Sequence, residues 1–155
     1  MSEVSLKFLM NVKVASTGKN GPRGEVGKAL EQISQSLKEK KVKTAGSVMG
    51  VFHGDPKSLD AKNAHYEVCV PISGKLKGEG EVQAKELDRG AYACITHTGP
   101  IDKLQETYNT VLKWIDENEY RIVGSGREVY EKGVAGGGGS PQDILIEVQF
   151  PVRKG

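Results

Sequence analysis

Two glutamates stand at matching places in this sequence. Glu67 lies within His65-Tyr66-Glu67-Val68-Cys69, and Glu147 within Leu145-Ile146-Glu147-Val148-Gln149. Both segments alternate, which marks strands with one buried face. Tyr66, Val68 and Val70 share one face of the first. Ile144, Ile146, Val148 and Phe150 share one face of the second, so both glutamates point the other way. A carboxylate in a groove from which water is partly excluded attracts a cation more strongly than one in bulk water.

Other chemistry is thinly represented. His53 and His65 are too isolated to suggest a metal site, and no Ser-His-Asp or Cys-His spacing vouches for a nucleophile. His97 precedes a Gly-Pro turn and is read as structural, bonding the loop backbone. Cys69 and Cys94 are the only cysteines and lack metal-ligand spacing. They read as buried thiols in a reducing compartment. No metal and no cofactor is expected.

The chain has 155 residues, 37% of them apolar and 27% charged, with a formal net charge of +2. That is enough chain for one domain with a sizeable interior. The charge gives little pull on DNA or RNA. Only Lys38, Lys40, Lys41 and Lys43 cluster, at a predicted helix end where cations suit the dipole. No apolar run approaches the roughly 18–20 residues of a membrane span. The opening MSEVSLKF lacks a secretory pattern, so a cytoplasmic location is expected.

The elements that must position these residues come in two copies. A shift of 78 positions lays residues 4–52 over 82–130 without a gap, and 10 of the 49 pairs are identical. About three would be expected at ordinary residue frequencies. Gly21-Pro22 falls on Gly99-Pro100, Gly46-Ser47 on Gly124-Ser125, Val51 on Val129, and Phe52 on Tyr130. At a shift of 80, Glu67-Val68 and Pro71 fall on Glu147-Val148 and Pro151. The chain reads as a single domain, 1–155, with repeat one over about 4–72 and repeat two over about 80–153.

Each copy opens with strand pieces, and Gly-Pro then introduces a helix. Val26, Leu30, Ile33 and Leu37 form one helical stripe, and Ile101, Leu104, Tyr108, Val111 and Ile115 form the other. Gly99 or Thr98 is expected to cap the second helix, with Pro100 at its first position and Asp102 in its first turn. Strands follow over 48–53 and 66–72, and again over 127–131 and 144–152. The predicted fold is α+β: strand-helix-strand-strand units in tandem, an antiparallel sheet with both helices on one face. Glu67 and Glu147 would then face a groove at the seam, on the side without helices. Residues 133–140, GVAGGGGS, read as a flexible loop before the final strand and a candidate lid.

The stretch Ala91-Tyr-Ala-Cys-Ile-Thr-His97-Thr98-Gly99-Pro100 resembles the entry motif of the GyrI-like small-molecule-binding family, which also supplies the effector domains of AraC- and MerR-type regulators. The likeness continues through Tyr108, Trp114, Glu128-Val129-Tyr130 and the closing Glu147-Val148-Gln149-Phe150-Pro151. The resemblance implies a SOUL-like duplicated fold with a ligand cleft at the pseudo-twofold junction. It implies an acid on the last strand, carried over as Glu147, and the strand aromatic Tyr130. Tyr108, Trp114, Phe52, Tyr66 and Glu67 complete the expected ligand-binding set. Aromatic faces would add cation–π attraction of about 0.5–2 kcal/mol.

The function implied is a stand-alone effector-binding protein for hydrophobic, cationic or aromatic small molecules, in transcription regulation or drug response. No helix-turn-helix precedes residue 4, so no direct contact with nucleic acid is expected. A regulatory role would need a separate DNA-binding partner, and a homodimer is also open. The alternative is a GyrI-like hydrolase of reactive aromatic compounds, with Glu67 and Glu147 as base and acid beside Tyr130. A further alternative is a DNA gyrase inhibitor, although no acidic tract mimics DNA.

Overall fold

The alternating segments form the strands that their patterns require. In the computed structural model, which describes residues 3–60, 62–132 and 145–155, the chain runs β1 (Ser5–Leu9), β2 (Val12–Gly21), α1 (Val26–Lys40), β3 (Lys43–Thr44), β4 (Met49–Phe52) and β5 (Ala64–Ser73). The same order then recurs as β6 (Gln83–Leu87), β7 (Gly90–Thr98), α2 (Leu104–Glu117), β8 (Tyr120–Ile122), β9 (Gly126–Lys132) and β10 (Leu145–Lys154). The glycine-rich residues 133–140 and Ile144 lie outside the described residues.

One curled sheet has the order β1-β7-β10-β9-β4-β5-β2-β6, with β3 added to β5 and β8 to β10. Every pairing is antiparallel. The order reads as two halves meeting at β4 and β9. The opening strands are exchanged: β1 pairs with β7 of the second half, and β6 with β2 of the first.

Both helices lie on the face that carries Tyr66, Val68, Ile146 and Val148. α1 buries Val26, Ala29, Ile33 and Leu37 against Ala15, Val68 and Val70. α2 buries Leu104, Tyr108, Val111 and Ile115 against Ile95, Ile146 and Phe150. A smaller apolar cluster of Val14, Met49, Val51, Cys69 and Leu87 occupies the opposite face.

The helix starts depart from expectation in one respect. Each is entered through a 3-10 turn, Arg23–Glu25 or Ile101–Lys103, and no side chain caps it. Pro100 stands extended before the turn at φ −61°, ψ 145°, and Thr98 belongs to β7. Gly21 and Gly99, at φ 129° and 108°, explain the glycine in each Gly-Pro, since a side chain there would be strained. His97 is buried and holds its turn as read: one ring nitrogen lies 2.9 Å from the Pro100 carbonyl and the other 2.6 Å from Thr107 Oγ1. No described helix is long and apolar enough to cross a membrane.

Candidate functional site

The two halves join where β4 runs beside β9, with Gly50 opposite Glu128 in the register. These residues are also 78 positions apart, so the pseudo-twofold axis passes through this pair. Strand alternation puts Glu128 and Tyr130 on the helix side, among the residues that bury α2. Glu128 has no exposed surface. Its carboxylate accepts from the Tyr130 hydroxyl at 3.0 Å, from the Tyr108 hydroxyl, and from Arg23 Nη2 at 2.6 Å. Burial, and then the neighbouring Glu128 charge, push both phenols well above the ordinary tyrosine range. Both tyrosines therefore remain hydrogen-bond donors at physiological pH.

Arg23 reaches this acid from the other half. It stands in the 3-10 turn ahead of α1, directly after Pro22, whose carbonyl accepts from Tyr66 Oη at 2.9 Å. The guanidinium carbon lies 4.4 Å from the centre of the Phe52 ring, and Phe52 stacks on Tyr66 at 5.3 Å. Burial is the largest single influence and works against the Arg23 charge. Attraction to Glu128, the hydrogen bond to it and the neighbouring Tyr130 and Tyr108 together raise the pKa above its ordinary value. A buried carboxylate is tolerated only when paired and hydrogen-bonded, and here it has all three partners.

A cleft of about 450 Å³ opens above this pair. Phe52, Tyr108, Phe150 and Arg23 form part of its wall, Gly126 lies on β9, and Leu59 belongs to the β4–β5 connection. That connection is anchored across the cleft: Leu59 N–H donates to Gln105 Oε1 at 2.8 Å, and Gln105 Nε2 donates to the Pro56 carbonyl at 3.1 Å. The size and aromatic wall suit a small apolar ligand. A larger, open depression of about 1030 Å³ is lined by Lys85, Glu86, Asp88, Arg89 and Arg127. Its Arg127 is already engaged with the Asp88 carbonyl at 2.9 Å and the Tyr92 ring at 4.3 Å.

Of the residues predicted from sequence, Phe52 and Tyr108 line the 450 Å³ cleft, and Tyr130 lies behind it on Glu128. Tyr66 is buried beneath Phe52. Trp114 stacks on Tyr120 at 5.6 Å and does not line the cleft. Glu67 and Glu147 lie on the helix-free face, as alternation required, but that is not the face of this cleft. Glu147 is held by Lys7 at 2.9 Å and Gln149 at 2.6 Å. Glu67 is held by Lys85 at 2.7 Å, His53 at 2.8 Å and Ser16 at 3.1 Å. Three strand spacings separate β5 from β10, about 14 Å along the sheet. The two carboxylates are not brought together as an acid–base pair.

Sequence reading missed the centre of the site. Glu128 was visible only within the resemblance, and Arg23 and Gly50 were not singled out. The signal was faint: Gly50 falls on Glu128 beside the identical pair Val51/Val129, and Arg23 falls on Ile101 beside the identical pair Pro22/Pro100. Both thiols are unreactive as placed, because burial pushes Cys69 up to about 11 and Cys94 up to about 12. Among the described residues, no group of His, Cys, Asp and Glu could hold a metal ion.

Comparison with known proteins adds a family and a fold. The family model described as GyrI-like small molecule binding domain matches residues 2–153. No curated protein matches the chain at a significant level. The EcmrR C-terminal domain is similar at a TM-score of 0.88 and 23% identity, covering 100% of this chain and 99% of that one. In the EcmrR–DNA complex the TM-score is 0.87 at 23% identity, and 99% of this chain corresponds to 58% of the longer protein. A hydrolase from Listeria innocua has a TM-score of 0.73 at 12% identity over 97% of this chain and 92% of its own. SAV2435, solved bound to tetraphenylphosphonium, has a TM-score of 0.59 at 14% identity over 97% and 94%. At these identities the likeness is one of fold.

Proposed function

The chain belongs to the GyrI-like small-molecule-binding family, and on that premise we propose that its 450 Å³ cleft binds a hydrophobic aromatic compound as an effector. The observation that carries this reading is the cleft wall itself. Phe52, Tyr108 and Phe150 offer ring faces and edges at the junction of the halves, with the buried Glu128 cluster fixing two of the surrounding side chains. Aromatic surface supplies most of the gain on binding such a compound. Position at the seam couples occupancy to the fit of the halves, which suits an effector domain that reports to another module. The sensing of toxic or drug-like compounds in the cytoplasm, through a DNA-binding partner, is the role we assign. The two buried free thiols are consistent with a reducing compartment.

A thermal-shift panel of aromatic compounds, with hits titrated by calorimetry, tests the reading. A ligand that binds only the folded state raises apparent stability. One-to-one hits should be weakened at least tenfold by Phe52→Ala and by Leu59→Ala. An empty panel, or hits indifferent to both substitutions, would remove the reading.

A further inference from the structure

We propose that Arg23 is a resident cation that occupies the Glu128 charge and makes the cleft select uncharged aromatic ligands over lipophilic cations. The inference rests on the cleft reading above and names its ligand class. A site for a lipophilic cation needs a carboxylate to neutralise it and an aromatic face to lie against. Both exist here, and one side chain of the protein already uses both. The Arg23 guanidinium is 2.6 Å from Glu128 and 4.4 Å from the Phe52 ring centre.

The arrangement is built rather than incidental. Arg23 lines the cleft with a side chain that is 16% exposed, whereas the Glu128 side chain has no exposed surface, so a ligand entering the cleft meets Arg23 and not the acid. The turn that carries Arg23 is pinned from beneath by the Tyr66 hydroxyl on the Pro22 carbonyl, at 2.9 Å. A second cation in the cleft would face Arg23 as a like charge, or would have to displace it and leave a guanidinium without its partner. An uncharged ring system meets neither penalty.

The acids at the rim do not reverse this balance. Asp55 and Asp60 are exposed and turn onto their own loop. Asp55 accepts from the Lys57 N–H at 2.9 Å, and Asp60 from the N–H groups of Lys62 at 3.0 Å and Asn63 at 3.1 Å. Solvent screens charges so placed.

Two ions of nearly equal shape, tetraphenylphosphonium and tetraphenylborate, make the test, with neutral triphenylphosphine oxide as reference. Calorimetry at about 0.15 M salt, where exposed charges are screened, is applied to the wild type, Arg23→Gln and Glu128→Gln. Arg23→Gln should tighten phosphonium binding at least tenfold. Glu128→Gln, which keeps an acceptor for both phenols and frees the guanidinium, should tighten borate binding at least tenfold. The phosphine oxide should change less than threefold in either.

Unchanged or weaker phosphonium binding in Arg23→Gln overturns the proposal. If that variant does not fold, the borate arm decides, and no gain in Glu128→Gln overturns it equally. Retained phosphine oxide binding with unmoved ion preferences sinks this inference and leaves the cleft reading intact. Binding of none of the three probes to any of the proteins removes both.

Discussion

The two faces of the sheet treat the internal repeat in opposite ways. On the helix-free face the repeat is kept. Lys7 and Lys85 are equivalent at a shift of 78, Glu67 and Glu147 at a shift of 80, and each lysine on an exchanged strand pairs with the glutamate of the opposite half, at 2.9 and 2.7 Å. Each pair spans one intervening strand, β7 or β2, and ties the exchanged strand to the half that receives it. On the helix face the repeat is broken at two linked places. Glu128 faces Gly50, and Arg23 has the exposed Ile101 as its counterpart. Symmetry survives in the lysine–glutamate pairs that tie in the exchanged strands, and fails at the axis, where Glu128 stands opposite a glycine.

The asymmetry of the helix face is tested most strongly by changing both members of a repeat-related pair. Arg23→Met would leave Glu128 buried without its counter-charge, a loss of about 3–5 kcal/mol. Ile101→Met, at the same place in the other half, should stay within about 0.5 kcal/mol because the residue is exposed. Urea unfolding at neutral pH measures both, and equal losses would end the claim that the helix face is asymmetric by design. Adding Glu128→Gln to Arg23→Met should recover most of the loss, since the stranded charge is then gone.

Gly50 supplies the next effect. A methyl group there would lie 2.6 Å from both the Tyr130 hydroxyl and Phe52 Cε1. Crowding of that kind costs about 1–3 kcal/mol, so Gly50→Ala should lower the urea midpoint well beyond an exposed alanine substitution. A neutral Gly50→Ala would mean that the axis has room to spare. The space left by the absent side chain would then not explain why only one half carries an acid.

Much of the scaffold was legible because the hydrophobic periods were clean. Tyr66-Val68-Val70 and Ile146-Val148-Phe150 alternate without interruption, and Val26, Ile33 and Leu37 keep helical spacing, so faces and helix positions followed directly. The Gly-Pro pairs marked both helix entries. The site was harder, because alternation tells which residues share a face but not which face closes into a cleft. Glu67 and Glu147 fitted the pattern of a shared groove, and their lysines were far off in sequence, on strands whose exchange no local period reveals. Glu128 sits one residue from Val129 in a short strand, where period alone cannot rank an inward acid above an outward one. Arg23 was hidden for another reason: it acts from a turn, and its partner is 105 residues away.

The halves also hold their Gly-Pro turns by different means, and the difference can be measured. His97 bonds the Pro100 carbonyl from β7, whereas Tyr66 bonds the Pro22 carbonyl from β5. Tyr66→Phe removes one hydrogen bond and nothing else, for about 0.5–1.5 kcal/mol. Because Pro22 precedes Arg23, the same variant should also show part of the ion-preference change expected of Arg23→Gln. A stability loss with unaltered preference would confine Tyr66 to holding the turn.

The smallest effect belongs to the face where symmetry is kept. Burial alone would raise the Glu67 pKa, but hydrogen bonds from Lys85 and His53 outweigh it and leave the group below the ordinary glutamate value. Folding therefore favours the ionised form, and the stabilisation is complete above the unfolded pKa of about 4.3. It fades as the pH falls through the lower folded value. Glu67 retains 20% side-chain exposure, so solvent screening limits the worth of its ion pair to about 0.2–1 kcal/mol. The melting temperature of Glu67→Gln should trail the wild type slightly at pH 7, and the gap should close below about pH 4. A gap that goes on widening below about pH 4 would mean that the carboxyl is held in its protonated form. The lysine-paired reading of this face would then fail along with its match to Lys7 and Glu147.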